Sequence, residues 1–454
     1  MLTDYKIING NSLEVLDTLE ENSVGSIVTD PPYELNFMGK SWDRSGIAYN
    51  VELWKKALRV LKPGGYLLAF GGTRTYHRIC CAIEDAGFEI RDCILWLYGS
   101  GFPKSLNIGL AIDKKLGIES EVVGSGKSGV SSRAYQSEET TTAGEYEIKK
   151  ANNEWSGWGT ALKPAYEPII VARKPFKGSL VDNVLEWGVG ALNIDECRVG
   201  DEEHTININD FTNQHGNQFG NGMAIPKLGE KTVTGRFPAN LIHDGSEEAI
   251  SGMPNTKGNN PKELGDSGFW FDNERCDKQM SRGYDDEGSA ARYFYCAKAS
   301  SKDRDEGLDD FESKPMFVAD NEHGNLGAFY IKKAGGEMGD EQLRKNIHPT
   351  VKPTELMQYL VRLVTPKGET VLDIFNGSGS TGKAVAFENR ERNANYKYIG
   401  IELDPEYCKI SEARIDYVVN KYKYDILEEI KENEKIGQMS IFDFMGEDDE
   451  NDNQ

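Results

Sequence analysis

Apolar residues follow two alternating rhythms along the first hundred positions. YKIING, from Tyr5 to Gly10, has the short apolar run of a strand. SLEVLDTL repeats its apolar residues at helical spacing, with Ser12 predicted as the N-cap. VGSIVTD is a buried strand, and VELWKKALRVLKPGG an amphipathic helix predicted to close at Pro63 and the two following glycines. YLLAF, RTYHRICCAIEDAG and FEIRDCILWLY continue as strand, helix and strand. Strands alternating with helices predict an α/β protein, a parallel sheet with helices packed on it.

The rhythm breaks near Gly99. GSGKSGVSSRAYQSEETTTAGEYE is rich in Gly, Ser and Thr and predicts a long mobile loop. EPIIVARKP, from Glu167 to Pro175, is one further strand ended by Pro175. From about 176 to 345 the chain is irregular, with GRFPANLIHDG and AARYFYCAKAS as apolar islands, and predicts a separate, loop-rich insert. Periodicity returns with KPTELMQYLVRLVT, a helix behind Pro353. ETVLDIF, TGKAVAFEN, YKYIGIELD and PEYCKISEARIDYVVNKY then predict strand, helix, strand and helix before a charged tail.

Bulk properties narrow the class. A chain of 454 residues allows roughly two to three domains. No apolar run is long enough to span a membrane, and MLTDYKIING has neither the basic nor the apolar part of a signal peptide. The seven cysteines form no CxxC pair, so reduced core thiols in a cytoplasm are expected. A zinc site from Cys276 and Cys296 is the weaker alternative, and no metal is expected. The net charge of −22 disfavours a nucleic-acid partner without excluding one, because placement matters more than the sum. Residues 425–454 hold eleven acids and two bases, while basic stretches such as VARKPFKG survive in the body.

Two strand ends carry the chemistry. VLDIFNGSGSTGKAVAF sets Asp373, Phe375, Gly377 and Gly379 at a strand-to-helix turn where backbone can approach a ligand at a helix N-terminus. Its spacing is not that of a phosphate-gripping loop. Glu402 closes the next strand, where an acid accepts from both hydroxyls of a ribose. Turn and acid together point to an adenosine-containing cofactor; the bland alternative is a solvated strand-end acid. Asp30-Pro31-Pro32-Tyr33 ends the strand VGSIVTD. The prolines stiffen the turn. The Asp30 carboxylate and the Pro31 carbonyl offer two acceptors for an exocyclic NH₂, and Tyr33 a face for stacking a base. Taken alone, this tetrapeptide could equally be a plain strand stop.

Asp-Pro-Pro-Tyr followed far downstream by Asp-x-Phe-x-Gly-x-Gly resembles the amino-methylating DNA methyltransferases, which act on adenine N6 or cytosine N4. The order, catalytic turn before cofactor turn, is similar to the permuted beta subgroup, and HPTVKP (His348–Pro353) matches its methionine-side motif. LKPAYEPIIVARKP, GVGALNIDECRVG, GRFPANLIHDG and RYFYCAKAS resemble phage and prophage members. The resemblance touches motifs from Asn9 to about Tyr407. It implies a Rossmann-like sheet, mostly parallel with an antiparallel hairpin, and a loop-rich target-recognition insert. The implied parts are a catalytic half (1–104), a mobile loop insert (105–162), a returning strand (163–175), a target-recognition region (176–345), a cofactor half (346–420) and an acidic tail (421–454).

The resemblance also implies roles. Asp30, Pro31, Pro32 and Tyr33 would hold a base flipped out of double-stranded DNA. Asp373, Phe375, Asn376, Gly377, Ser378, Gly379 and Thr381 would line S-adenosyl-L-methionine, Glu402 and Leu403 its ribose end, and Thr350 and Lys352 its methionine part. Where the family often has Asp, this chain has Asn11, whose carbonyl can still accept from the cofactor's adenine. ELNFMGKSWD follows the catalytic turn. Phe37 and Trp42 would line the pocket and Lys40 would meet a phosphate, against the alternative that the apolar residues are ordinary core. Asp at the first position of the tetrapeptide favours adenine. In the tail, Gln438, Ile441 and Phe442 resemble a short peptide that docks on the bacterial sliding clamp. A homodimer is left open. The competing class is a decayed methyltransferase that only binds DNA or cofactor, and a third reading is methylation of RNA or of a protein glutamine.

Overall fold

The computed structural model describes residues 3–35, 41–101, 105–127, 145–209, 227–257, 287–298, 300–315 and 343–421. Among these residues, nine strands form one sheet: β1 (Asp4–Asn9), β2 (Val24–Thr29), β3 (Leu61–Phe70), β4 (Glu89–Leu97), β5 (Tyr166–Arg173), β6 (Leu241–His243), β7 (Tyr295–Cys296), β8 (Thr370–Asp373) and β9 (Lys397–Glu402). Their order is β1-β9-β8-β2-β3-β5-β4-β6-β7. Every pairing is parallel except those of β5, which runs against both β3 and β4. The predicted parallel sheet is therefore present, with one reversed strand.

The period-two pattern of the strands builds two cores. Val28, Leu68, Phe70, Ile169 and Val171 face Leu356, Leu360, Val361 and Val385 on one side. These come from α6 (Thr354–Val364) and α7 (Ser380–Arg392). Ile27, Leu67, Ala69 and Ile170 face Leu16, Leu53, Trp54 and Ile79 on the other. These belong to α1 (Ser12–Thr18), α2 (Val51–Val60) and α3 (Tyr76–Asp85). A short helix α4 (Leu180–Trp187), a one-turn helix α5 (Ser301–Asp305) and a helix α8 over 405–421 complete the elements used below.

Three local expectations are corrected. Helix α2 stops at Val60, and Leu61 already begins β3, which carries Pro63, Gly64 and Gly65 through a register shift against β2. Gly64, at φ +79, supplies the left-handed backbone that this irregularity needs. The cap of α1 is Asn11, whose side chain accepts from the Leu13 N–H. Ser12 instead donates to the Ile374 carbonyl at 2.5 Å, tying α1 to the turn after β8. The region 176–345, expected as a separate insert, lends β6 and β7 to the sheet.

Ser100–Ala165 belong to a second compact unit. It has a helix (Ile108–Leu116) and an antiparallel hairpin (Glu121–Lys127 with Glu145–Lys150) where a mobile loop was expected. Fully buried Asp113 gathers it, accepting from Ser120, the Asn152 N–H and Asn153. The stretch 128–144 lies outside the described residues.

The parallel register brings Asn9 beside Glu402, Asp373 beside Gly400 and Thr29 beside Ala69. The carboxyl ends of β1, β9, β8, β2 and β3 thus share one sheet edge. Chain order turns left from β8 to β9 and right from β2 to β3. The gap between β8 and β2 is the topological switch point, where open α/β sheets bind ligands.

Candidate active site

Asp30 lies at that switch point. Its Oδ2 accepts from Lys352 Nζ at 2.6 Å. Its Oδ1 is buried and has no hydrogen-bond partner among the described residues. A buried carboxylate oxygen without a donor is costly unless a ligand supplies one. Lys352 also reaches Glu167 Oε2 at 3.3 Å and lies 4.8 Å from the Phe70 ring centroid and 5.3 Å from that of Tyr33. Burial disfavours its charge, but the carboxylates of Asp30 and Glu167 outweigh burial and push the ammonium up to about 12. Tyr33 donates to Glu167 at 2.9 Å, and its carbonyl accepts from Thr75 at 2.8 Å, so the ring is held at both ends. Burial, then the charges of Asp30 and Glu167, push its hydroxyl well up, so it remains a donor.

Asp373 faces Asp30 across the switch point. It accepts from Thr29 at 2.7 Å, from the Phe375 N–H at 3.0 Å and from Thr381 at 2.6 Å. Burial raises its carboxyl to about 6 against those donors. Gly377 and Gly379 both have positive φ, +51 and +77. A Cβ on Gly377 would stand 2.9 Å from His348 Nε2, and one on Gly379 would collide with Ser411. Only glycine fits either position. Glu402 accepts from the Gly377 N–H at 2.7 Å and the Asp404 N–H at 2.9 Å. Burial pushes its carboxyl up to about 7. His348 Nδ1–H donates to the Thr350 carbonyl, 2.8 Å away, and burial takes its imidazole down to about 3, leaving it neutral. A glycine turn that admits no Cβ, an acid on the next strand and a neutral imidazole form a cradle that fits an adenosine cofactor.

Other expected site residues fall differently. Lys352, expected to flank a cofactor's methionine part, is bonded to the Asp30 carboxylate. Asn11 spends one lone pair of its carbonyl oxygen on the α1 cap. Thr381 supports Asp373, and Asn376 accepts from Tyr398 at 2.7 Å. The Ser378 carbonyl is taken by Arg414 at 2.6 Å. Thr350 is exposed and Leu403 is 65% exposed. Phe37 and Lys40 lie outside the described residues, as do Gln438, Ile441 and Phe442. Trp42 falls in a 3₁₀ turn (Ser41–Arg44), and its side chain is not described. The stem of that loop is pinned: buried Asp43 accepts from the N–H groups of Glu34 and Leu35 at 2.9 and 3.1 Å.

Sequence reasoning missed Glu167 and the support behind the cofactor turn. Asp303 in α5 accepts from the Thr354 N–H and hydroxyl at 2.8 and 2.6 Å, capping α6 from a distance. It also binds Lys383, which is fully buried. Arg304 donates to the His348 carbonyl at 2.6 Å. The clustered charges of KDRDEG were a visible signal, but nothing in their spacing names their partners.

A family model described as DNA methylase (N6_N4_Mtase) matches residues 24–413, a span holding the Asp30 turn, the Gly377 turn and Glu402. The chain belongs to this family. Among related DNA methylases, the type II methyltransferase M.HindIII of Haemophilus influenzae is 24% identical over 231 residues, covering 41% of this chain and 64% of that protein. M.HpaI of Haemophilus parainfluenzae is 32% identical over 111 residues, 22% of this chain and 34% of that protein. The DNA adenine methyltransferase YhdJ of Escherichia coli is 36% identical over 93 residues, 20% of this chain and 29% of that protein. The chain thus spans less than two thirds of these relatives. No helix among the described residues is long and apolar enough to cross a membrane, and no group of His, Cys, Asp and Glu there is suited to a metal ion.

Proposed function

We propose that this protein methylates the exocyclic amine of a base in double-stranded DNA, with S-adenosylmethionine as donor and adenine N6 as the target. The observation that carries the reading is the buried, unpartnered Oδ1 of Asp30 beside the cradle of Gly377 and Glu402. The target amine is paired inside a duplex, so the base must be flipped out to reach it. The amine's lone pair is delocalised into the ring. Hydrogen bonds from the NH₂ to Asp30 Oδ1 and the Pro31 carbonyl favour a pyramidal nitrogen with a usable lone pair. Bound S-adenosylmethionine supplies an electrophilic methyl on a sulfonium. As the new N–CH₃ bond forms, the methyl's bond to sulfur breaks with its electron pair left on a neutral thioether, and Asp30 Oδ1 accepts the proton that leaves the nitrogen. Tyr33, fixed through Glu167 and Thr75, presents its ring for stacking.

Adenine is favoured because Asp opens the tetrapeptide and because one matching segment comes from a DNA adenine methyltransferase. Cytosine N4 presents the same two donors and is the alternative. The chain order, Asp30 before Asp373, supports the permuted beta-subgroup reading, and the four phage-like segments support a phage or prophage origin. Docking of the tail on a sliding clamp rests on its pentapeptide alone. Methylation-sensitive sequencing of DNA from cells expressing the protein tests the function and reports base and site together. Unmodified DNA there, with no transfer of labelled methyl in vitro, overturns it.

Glu402 predicts a pH dependence. Its carboxyl titrates near 7 because burial penalises the charge. Ribose hydroxyls donate to the ionised form, so binding is penalised below that pH, where a proton must first leave. Affinity for S-adenosylmethionine is expected to rise as pH rises through about 7. Glu402→Gln should bind about tenfold more weakly and lose this dependence. Calorimetric titration across pH checks it, and a wild-type affinity independent of pH removes the role.

A further inference from the structure

We infer that Lys352 and Glu167 are a positioning pair that sets both the aim and the charge of Asp30. The inference rests on the proposed methyl transfer. Lys352 Nζ occupies Oδ2 of Asp30 at 2.6 Å, which leaves Oδ1, without a partner among the described residues, to accept from the target amine. Glu167 binds the same ammonium at 3.3 Å and the Tyr33 hydroxyl at 2.9 Å. One carboxylate therefore orients both the acceptor of the amine and the ring on which the base stacks. The three charged groups sum to one negative charge. That matches the positive charge the amine nitrogen acquires as the methyl arrives.

The pair comes from two distant places in the chain. Glu167 is the second residue of β5, the reversed strand, whose amino end lies at the edge where the parallel strands finish. Lys352 precedes α6. The other groups facing them are Phe70 at the end of β3, Tyr98 after β4, His348 and, across the switch point, Asp373. Of these, the imidazole is neutral and the Tyr98 hydroxyl, raised by burial, stays protonated. Asp373 is bound by three donors of its own. Among the described residues, Lys352 is thus the cation of this cluster.

The two members should move the pH profile in opposite directions. In Lys352→Met, two carboxylates face each other without their cation and bind protons more readily. The acid limb of kcat should rise by about one pH unit or more, with activity falling about tenfold below it and recovering at alkaline pH. In Glu167→Gln, Asp30 keeps the ammonium to itself, so the limb should move to lower pH while kcat on the plateau falls about tenfold. Affinity for S-adenosylmethionine should hold in both, and Lys352→Arg should restore the wild-type limb. If Lys352→Met does not fold, the Glu167→Gln shift decides. Limbs that stay put in both variants overturn the inference, as does a Lys352→Met that loses cofactor binding with its limb unmoved. Failure of the wild-type protein to methylate any DNA overturns the underlying reading instead.

Discussion

Asp30→Ala is expected to bind S-adenosylmethionine as the native protein does and to lose methyl transfer by about 10³-fold. The two halves of that result come from different parts of the edge. The cofactor cradle is built by the turn after β8 and by Glu402, none of which hydrogen-bonds Asp30. The acceptor of the target amine is Asp30 itself, through an oxygen with no other partner among the described residues. Asp30→Asn separates shape from charge. It keeps one acceptor oxygen but cannot take a proton, so it too should fall by more than about a hundredfold. Lys352 keeps Glu167 as a partner in both variants, so folding should survive. Single-turnover transfer of labelled methyl to DNA, beside calorimetric cofactor titration, reads both outcomes. Turnover near the native rate in Asp30→Ala would discard the mechanism.

Asp303→Ala should be the most destabilising single change near the site, by about 3 kcal/mol. Asp303 bonds the fully buried Lys383 at 2.7 Å and caps α6 through Thr354. Burial opposes its ionisation, but the Lys383 ammonium outweighs that and holds its carboxyl below the usual range. Without Asp303, Lys383 retains Glu306 at 2.9 Å, and the α6 N-terminus loses its acceptor. The damage should also reach cofactor affinity. Arg414 lies 3.8 Å from the Asp303 carboxylate and donates to the Ser378 carbonyl in the glycine turn at 2.6 Å. Urea unfolding measures the first effect and titration the second. A loss of stability under about 0.5 kcal/mol would mean the ion pairs are dispensable.

The legible part of this protein is whatever its local chemistry dictates. The alternation of strand and helix, the stiff turn at Asp30 and the glycine turn at Gly377 each follow from neighbouring residues. The reversed strand does not. EPIIVARKP reads as a strand in either direction, and only pairing with β3 and β4 shows that Glu167 arrives at the ligand edge. HPTVKP points Lys352 to the methionine side, but nothing in the motif names its partners, the carboxylates of Asp30 just after β2 and of Glu167 in β5. The strands β6 and β7 are three and two residues long. Runs that short carry no period, so the insert looked detached from the sheet it extends.

The pairing of β1 with β9, and of β2 with β8, also sets a timetable for synthesis. The first two strands leave the ribosome with one or both of these neighbours still to be made. At about 5–20 residues per second, some 390 residues separate Asn9 from Glu402 and take roughly 20–80 s. Through that interval β1 and β2 carry open edges, the state in which sheets aggregate. The switch point cannot close until Asp373 and Glu402 emerge, so a nascent chain cannot bind cofactor early. Competence comes in one late step, once β8 and β9 have both been made.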